Sequence, residues 1–477
     1  MINSKKLEYL ILFLFIGIWC TVGSDPNNFL YLFDNKSKTI SILSNINLKE
    51  IINLIRAIFP LILIIITLSI ILKYKLFYDY NKFVYILLLI QILQIITTYY
   101  SKDTLILAEL ESSIQHIGRY HWLISSIGTI FIFMIASKLK DFRFNNLLYV
   151  SLFFISIIVI YFSYIILIDY LNPEHLESAY HLDTWRESGY FFNHQIPRVT
   201  GLSRSILILL VFLLFLNFDT SIFFNFLRNC ICIILGTLIF IFQSKFSVIS
   251  IFIIYIFYIL SSKFKIKTFI KIKIFLFIQI FLFFSISNYK WKLVSLDFER
   301  IIQEEFAKNL YIGVIDIEKK VNKEKEIIRT YPENRKKDKK DILNYVLLSG
   351  RGQLWVDGIK YFKERPILGY GSMSDRIILN KERIVKSNVI NPVSNAFVYS
   401  LLSGGIFCFF LLILFFVSIR EYFIKIFYFR DLENFYLKIG SLIFLLIFLR
   451  LFIENSMMLF GIDFILIMNV LYLLKGK

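Results

Sequence analysis

The segment Ser349 to Gly371, SGRGQLWVDGIKYFKERPILGYG, combines an arginine, an aromatic residue one turn later and an end punctuated by proline and glycine. Ser349 is suited to cap a helix that runs to about Glu364 and is stopped by Pro366. On such a helix Arg351, Trp355 and Phe362 share a face at i, i+4 and i+11. A guanidinium at a helix N-terminus adds to the partial positive charge already there, and the chemistry this suggests is anion binding. A second set is Arg186, Arg198 and Arg204. They lie on a connection and helix start without lysine, although lysine predominates elsewhere in the chain. Arginine offers a planar fork that grips phosphate oxygens bidentately and stays charged. The alternative for each is snorkelling of a side chain at a helix end.

Proton transfer needs a different group. The five histidines, His116, His121, His175, His181 and His194, fall in polar connections or at helix ends. One reading is that polar residues avoid lipid; the sharper one is that a histidine serves as base. Their spacing fits no zinc pattern, and no metal is expected. Arg450 and Glu454, four residues apart near the end of an apolar run, are expected to pair. Cys20, Cys230, Cys232 and Cys408 all sit in apolar runs and read as small buried hydrophobes. No GxxxxGK[ST] loop is present, so no nucleotide is expected to drive the chemistry.

These residues must be positioned by elements of a particular kind. The chain is 57% hydrophobic with 52 Phe, and its mean hydropathy is +0.67. Apolar runs near 7–23, 52–72, 83–99, 121–137, 147–169, 203–217, 222–242, 246–261, 270–288, 396–418, 437–453 and 457–474 are long enough to cross a hydrocarbon core as helices. The expected fold is therefore all-α, a polytopic membrane protein with about 12 transmembrane helices. It divides into an N-terminal bundle (1–288), one large polar loop with amphipathic helices (289–395) and C-terminal transmembrane helices (396–477). The first run follows Lys5 and Lys6 but has no clear cleavage site and reads as an uncleaved helix.

The net charge of +18 would suggest nucleic acid in a soluble protein. Here the excess sits largely in alternate short connections, such as Lys73 to Lys82, Lys138 to Arg143 and Lys263 to Lys271, so topology explains it and no nucleic acid partner is expected. The positive-inside rule makes these connections and both termini cytoplasmic. The loops 24–51, 100–120, 170–202 and 289–395 are then on the outer face. No pair of Gly/Pro-broken spans in matching halves suggests an inverted-repeat transporter. A polysaccharide flippase, the rival from another class, predicts charges at mid-span depth.

Three segments together resemble the bacterial O-antigen ligase and O-antigen polymerase superfamily. They are PRVTGLSRS (Pro197–Ser205), the Ser349–Gly371 segment and NPVSNAFVYSLLSGGI (Asn391–Ile406). The resemblance implies a C-type glycosyltransferase with a large periplasmic loop, acting at the periplasmic face of the inner membrane without metal or cofactor. Its implied partner is an undecaprenyl-diphosphate-linked oligosaccharide in the lipid bilayer; a chain-length regulator is a candidate protein partner. Arg351 and Arg198 match the family's two arginines, which hold the donor diphosphate, with Arg204 in support. Trp355, Tyr370, Ser394 and Asn395 are the further substrate-binding candidates. The family's ligases carry histidine, a candidate base, at the position of Ser394. This departure favours a polymerase over a ligase and leaves His181, His194 or Glu187 as candidates for the base.

Overall fold

A computed structural model describes residues 5–22, 48–76, 81–102, 113–140, 142–171, 190–191, 194–195, 199–216, 221–242, 244–261, 265–311, 351–379, 393–428 and 434–475. It is all-α apart from a two-residue antiparallel pair, β1 (Tyr190–Phe191) and β2 (His194–Gln195). Each of the twelve apolar runs falls on a helix. In chain order these are α1 (Lys5–Thr21), α2 (Leu48–Lys73), α3 (Lys82–Tyr100), α4 (Ser113–Lys138), α5 (Phe144–Leu171), α6 (Val199–Phe215), α7 (Ile222–Ile241), α8 (Lys245–Ser261) and α9 (Ile266–Tyr311). After α10 (Arg351–Glu364) and the single turn α11 (Asp375–Ile378) come α12 (Ala396–Ser418), the short α13 (Arg420–Phe427), α14 (Phe435–Arg450) and α15 (Ile462–Lys475). Among the described residues, seven helices are long and apolar enough to cross a membrane.

The last two helices are short, 16 and 14 residues, which is about 24 and 21 Å of helix. They need not match the bilayer alone because protein surrounds them. Every residue of α15 from Ile462 to Leu474 is buried, against α4, α5, α13 and α14. Lipid-facing helices show the complementary pattern: α9 exposes Phe269, Ile270, Ile274, Phe277, Phe281 and Phe284. That is the surface a hydrocarbon solvent favours.

The bundle has two chemically distinct ends. At the lysine-rich end Lys475 donates to Asn81 and Lys425 to the Leu474 carbonyl. At the opposite end lie the start of α4 with Arg119, the start of α6 with Arg204, the end of α14 with Arg450 and the start of α15. Two features go beyond the sequence reading. The apolar ninth span ends at Tyr289, but its helix continues to Tyr311 over 46 residues, because nothing in YKWKLVSLDFERIIQEEFAKNLY breaks helical geometry. The tenth span is broken: Gly405 has φ +63° and Gly404 φ −141°, within α12.

Candidate functional site at the opposite end of the bundle

The break in α12 would leave backbone groups unsatisfied in a membrane unless protein supplied partners. The segment after α10 supplies them. Tyr370 N donates to Leu402 O (2.7 Å), Gly371 N to Ser403 O (2.8 Å), and Ile406 N to Pro366 O (2.9 Å). Glycine is required where the two backbones meet. Gly369 and Gly371 have φ +63° and +86°. A Cβ on Gly371 would lie 2.5 Å from Thr98 Cα and 2.6 Å from Arg119 Nη2, and one on Gly369 would strike the Leu402 carbonyl.

Helices α3 and α4 close over the same segment. Arg119, buried, donates from Nε to Ser372 O (2.5 Å) and from Nη2 to Tyr370 O (2.6 Å). Ser372 N donates to Thr98 Oγ1 (3.0 Å) and Met373 N to the Tyr399 hydroxyl (3.0 Å). Thr97 donates to Ser403 O (2.9 Å), and Gln94 Nε2 to Ser403 Oγ (3.2 Å). The 366–379 segment is thus held by side chains of α3, α4 and α12.

Asp375 extends this frame to the end of α14. Its Oδ2 accepts from Val393 N (2.9 Å) and from Asn455 Nδ2 (3.2 Å). Burial pushes this carboxyl above its ordinary range, with Arg376 opposing. Next in the chain, Ser456 donates to Asp463. Asp463 Oδ2 lies 2.7 Å from Arg204 Nη1 and 3.5 Å from Arg450 Nε. Two guanidinium groups therefore share one buried carboxylate. Several buried polar atoms here have no hydrogen-bond partner among the described residues: Ser374 Oγ, Asp375 Oδ1, Arg204 Nε and Trp355 Nε1. Such atoms cost free energy when unsatisfied, and they suit a polar ligand.

The residues expected from sequence distribute as follows. Arg351 is the first residue of α10, and its side chain lies outside the described residues, as does Ser349. Arg198, His181 and Glu187 also lie outside them. His194 is in β2, its side chain undescribed. Trp355 is half-buried on α10, which packs closely on α12: a Cβ on Gly358 would lie 2.8 Å from Val398 Cγ1. The Tyr370 hydroxyl donates to Glu364 Oε2 (3.0 Å), with the Arg365 guanidinium over the ring at 5.4 Å. Burial, reinforced by Glu364, keeps that phenol protonated well above its usual range.

Ser394 is buried with φ +48°. Asn395 caps α12: its Oδ1 accepts from Phe397 N (2.9 Å) and Val398 N (3.0 Å), and its Nδ2 donates to Phe452 O (2.9 Å). The Asn395 amide is therefore engaged in holding the turn, while Arg204, Tyr370, Ser394 and Asn395 all come to one end of the bundle. Arg450, expected to pair with Glu454, has an ion pair with Asp463. Sequence reasoning missed Thr98, Arg119, Asp375, Tyr399, Asn455 and Asp463. Only Asp463 had a legible signal, a lone carboxylate in an otherwise apolar run.

Residues 230–413 match the family model described as O-antigen ligase. The match spans α10, the 366–379 segment and the Ser394 turn, and begins after Arg198 and Arg204. It supports the superfamily of O-antigen ligases and polymerases for this chain. Comparison with curated proteins gives no match.

Proposed function

We propose that the chain is a surface-polysaccharide polymerase of the O-antigen type. It transfers a glycan from undecaprenyl diphosphate onto a second lipid-linked repeat unit at the outer face of the bacterial inner membrane. The observation that carries the reading is the convergence of the 366–379 segment, the Ser394 turn and the Arg204–Asp463–Arg450 cluster at one end of the bundle. In this reading Arg351 and Arg198 bind the donor diphosphate and Arg204 supports them. Guanidinium groups stabilise charge as it develops on the leaving diphosphate. The end that carries the site is periplasmic and the lysine-rich end, with both termini, cytoplasmic.

The family description favours a second reading, a ligase that joins the finished glycan to a lipid A core. Serine at 394, where the resemblance places histidine in ligases, favours the polymerase, since a serine hydroxyl is no base without help. A deletion strain separates the two on a lipopolysaccharide gel. Loss of a polymerase leaves cores bearing a single repeat; loss of a ligase leaves bare cores. Bare cores would overturn the polymerase reading.

A further inference from the structure

The lysine-rich end holds a pair of cations whose setting differs from that of the arginines at the other end. Helices α7 and α9 run in the same direction and are packed in a register that side chains define. Gln279 Nε2 donates to the Cys232 carbonyl (3.2 Å) and to the Tyr255 hydroxyl (2.6 Å), and the Gln279 amide abuts Gly236. Stepping back toward the helix starts in fours takes Gly236 and Cys232 to Arg228 on α7, and Gln279 through Phe275 to Lys271 on α9. Arg228 and Lys271 are thus level with one another where the two helices enter the bundle.

Arg228 is buried, with its guanidinium donating to the Leu216 carbonyl at the end of α6 and to Asn229 Oδ1 (3.1 Å). Lys271 is half-buried, its Nζ 5.6 Å from the centre of the Tyr258 ring and 5.2 Å from that of Phe275. Lys267 stands one turn before Lys271 on the same face, so a third like charge is close. At the other end Asp463 lies between Arg204 and Arg450. Here no carboxylate among the described residues forms an ion pair with Arg228 or Lys271. Like charges brought together in a partly desolvated setting repel, and an anion seated between them relieves that cost. Deeper along the same two helices, Ile231 and Ile234 of α7 and Ile274 and Phe277 of α9 are exposed apolar side chains.

We propose that Arg228 and Lys271 form a binding site for the phosphate of an anionic phospholipid of the adjacent leaflet. Its acyl chains lie along the exposed apolar faces of α7 and α9. The Tyr258 and Phe275 rings confine the Lys271 ammonium, and Arg228 presents its remaining N–H groups from a buried stem. Basic sites between membrane helices take anionic headgroups by this chemistry. The site is remote from the transferase cluster and does not rest on its assignment.

The test uses the full-length protein purified in mild detergent, titrated with phosphatidylglycerol or phosphatidylcholine and read by native mass spectrometry. The wild type should bind phosphatidylglycerol in preference to phosphatidylcholine. The double variant Arg228→Gln with Lys271→Gln should bind phosphatidylglycerol about 30-fold more weakly, the equivalent of roughly one kcal/mol per cation near a membrane surface. Lys271→Arg, which keeps the charge, should retain the preference and shows whether a loss in the double variant is specific. An unchanged preference in the double variant, or none in the wild type, would overturn the proposal. So would full displacement of the lipid by sodium phosphate at equal concentration, since the site would then recognise a free anion and not a lipid.

Discussion

At the scale of single residues, charge and burial decide what each group can do. Asp463, buried, lies between Arg204 and Arg450. Asp463→Asn should therefore cost about 3 kcal/mol, the penalty for removing one member of a buried ion pair. A thermal unfolding series in detergent should show the loss. Asp375 makes a pH prediction. Its carboxyl is raised from 3.8 chiefly by desolvation, so the folded protein keeps this proton to higher pH than the unfolded chain. The associated stability is complete below 3.8 and is lost as pH rises through the folded-state value. Asp375→Asn should flatten that part of the stability-versus-pH curve; an unchanged slope would show that Asp375 ionises as it does in water. On the proposed polymerase reading, Arg351→Ala should abolish chain extension without lowering membrane abundance, and Arg351→Lys should rescue poorly because the bidentate fork is lost. Full activity of the lysine variant on a polysaccharide ladder would count against diphosphate gripping. Arg204 stood out in sequence as an arginine in a lysine-free set, and Tyr370, Ser394 and Asn395 through the family resemblance. Asp375, Arg119 and Asn455 could not, since their partners lie 18, 253 and 80 residues away and no local period encodes such pairings.

At the scale of elements, the twelve apolar runs were legible because a membrane imposes one dominant rule, a continuous apolar stretch long enough to span it. The exceptions are informative. Length alone could not show that α12 breaks at Gly404 and Gly405, because GG inside an apolar run is also tolerated in an unbroken membrane helix. It is the opposing GYG of the preceding segment that makes the break sustainable. Gly405→Ala places a Cβ against the Ile367 carbonyl in a left-handed backbone. It should lower both melting temperature and membrane abundance, whereas Gly461→Ala, with nothing within 4 Å of its Cβ, should leave packing intact. Tyr399→Phe removes the hydroxyl that accepts from Met373 N, at a cost of about 1–3 kcal/mol for the stranded amide. Hydrogen exchange should report it as faster exchange at Met373 with the rest of α12 little changed.

At the scale of the whole molecule, the lysine-rich alternate connections predict one orientation. A reporter enzyme that is active only outside the cytoplasm should be silent when fused after residue 475 and active when inserted between 311 and 351. The frame also has a temporal side. The 366–379 segment precedes α12 in the chain, yet its backbone partners Leu402 and Ser403 are on α12, and Asp375 and Asn395 wait for Asn455 and Phe452. During synthesis this segment emerges before any of those groups exist, so it cannot complete these contacts when it first emerges. The contacts to Asn455 and Phe452 form afterwards, once the last pair of helices has arrived. Ribosomes stalled before residue 450 would therefore carry a chain with most of its helices inserted and no assembled centre. Residues 450–475, which carry Arg450, Asn455 and Asp463, act as the keystone of biogenesis.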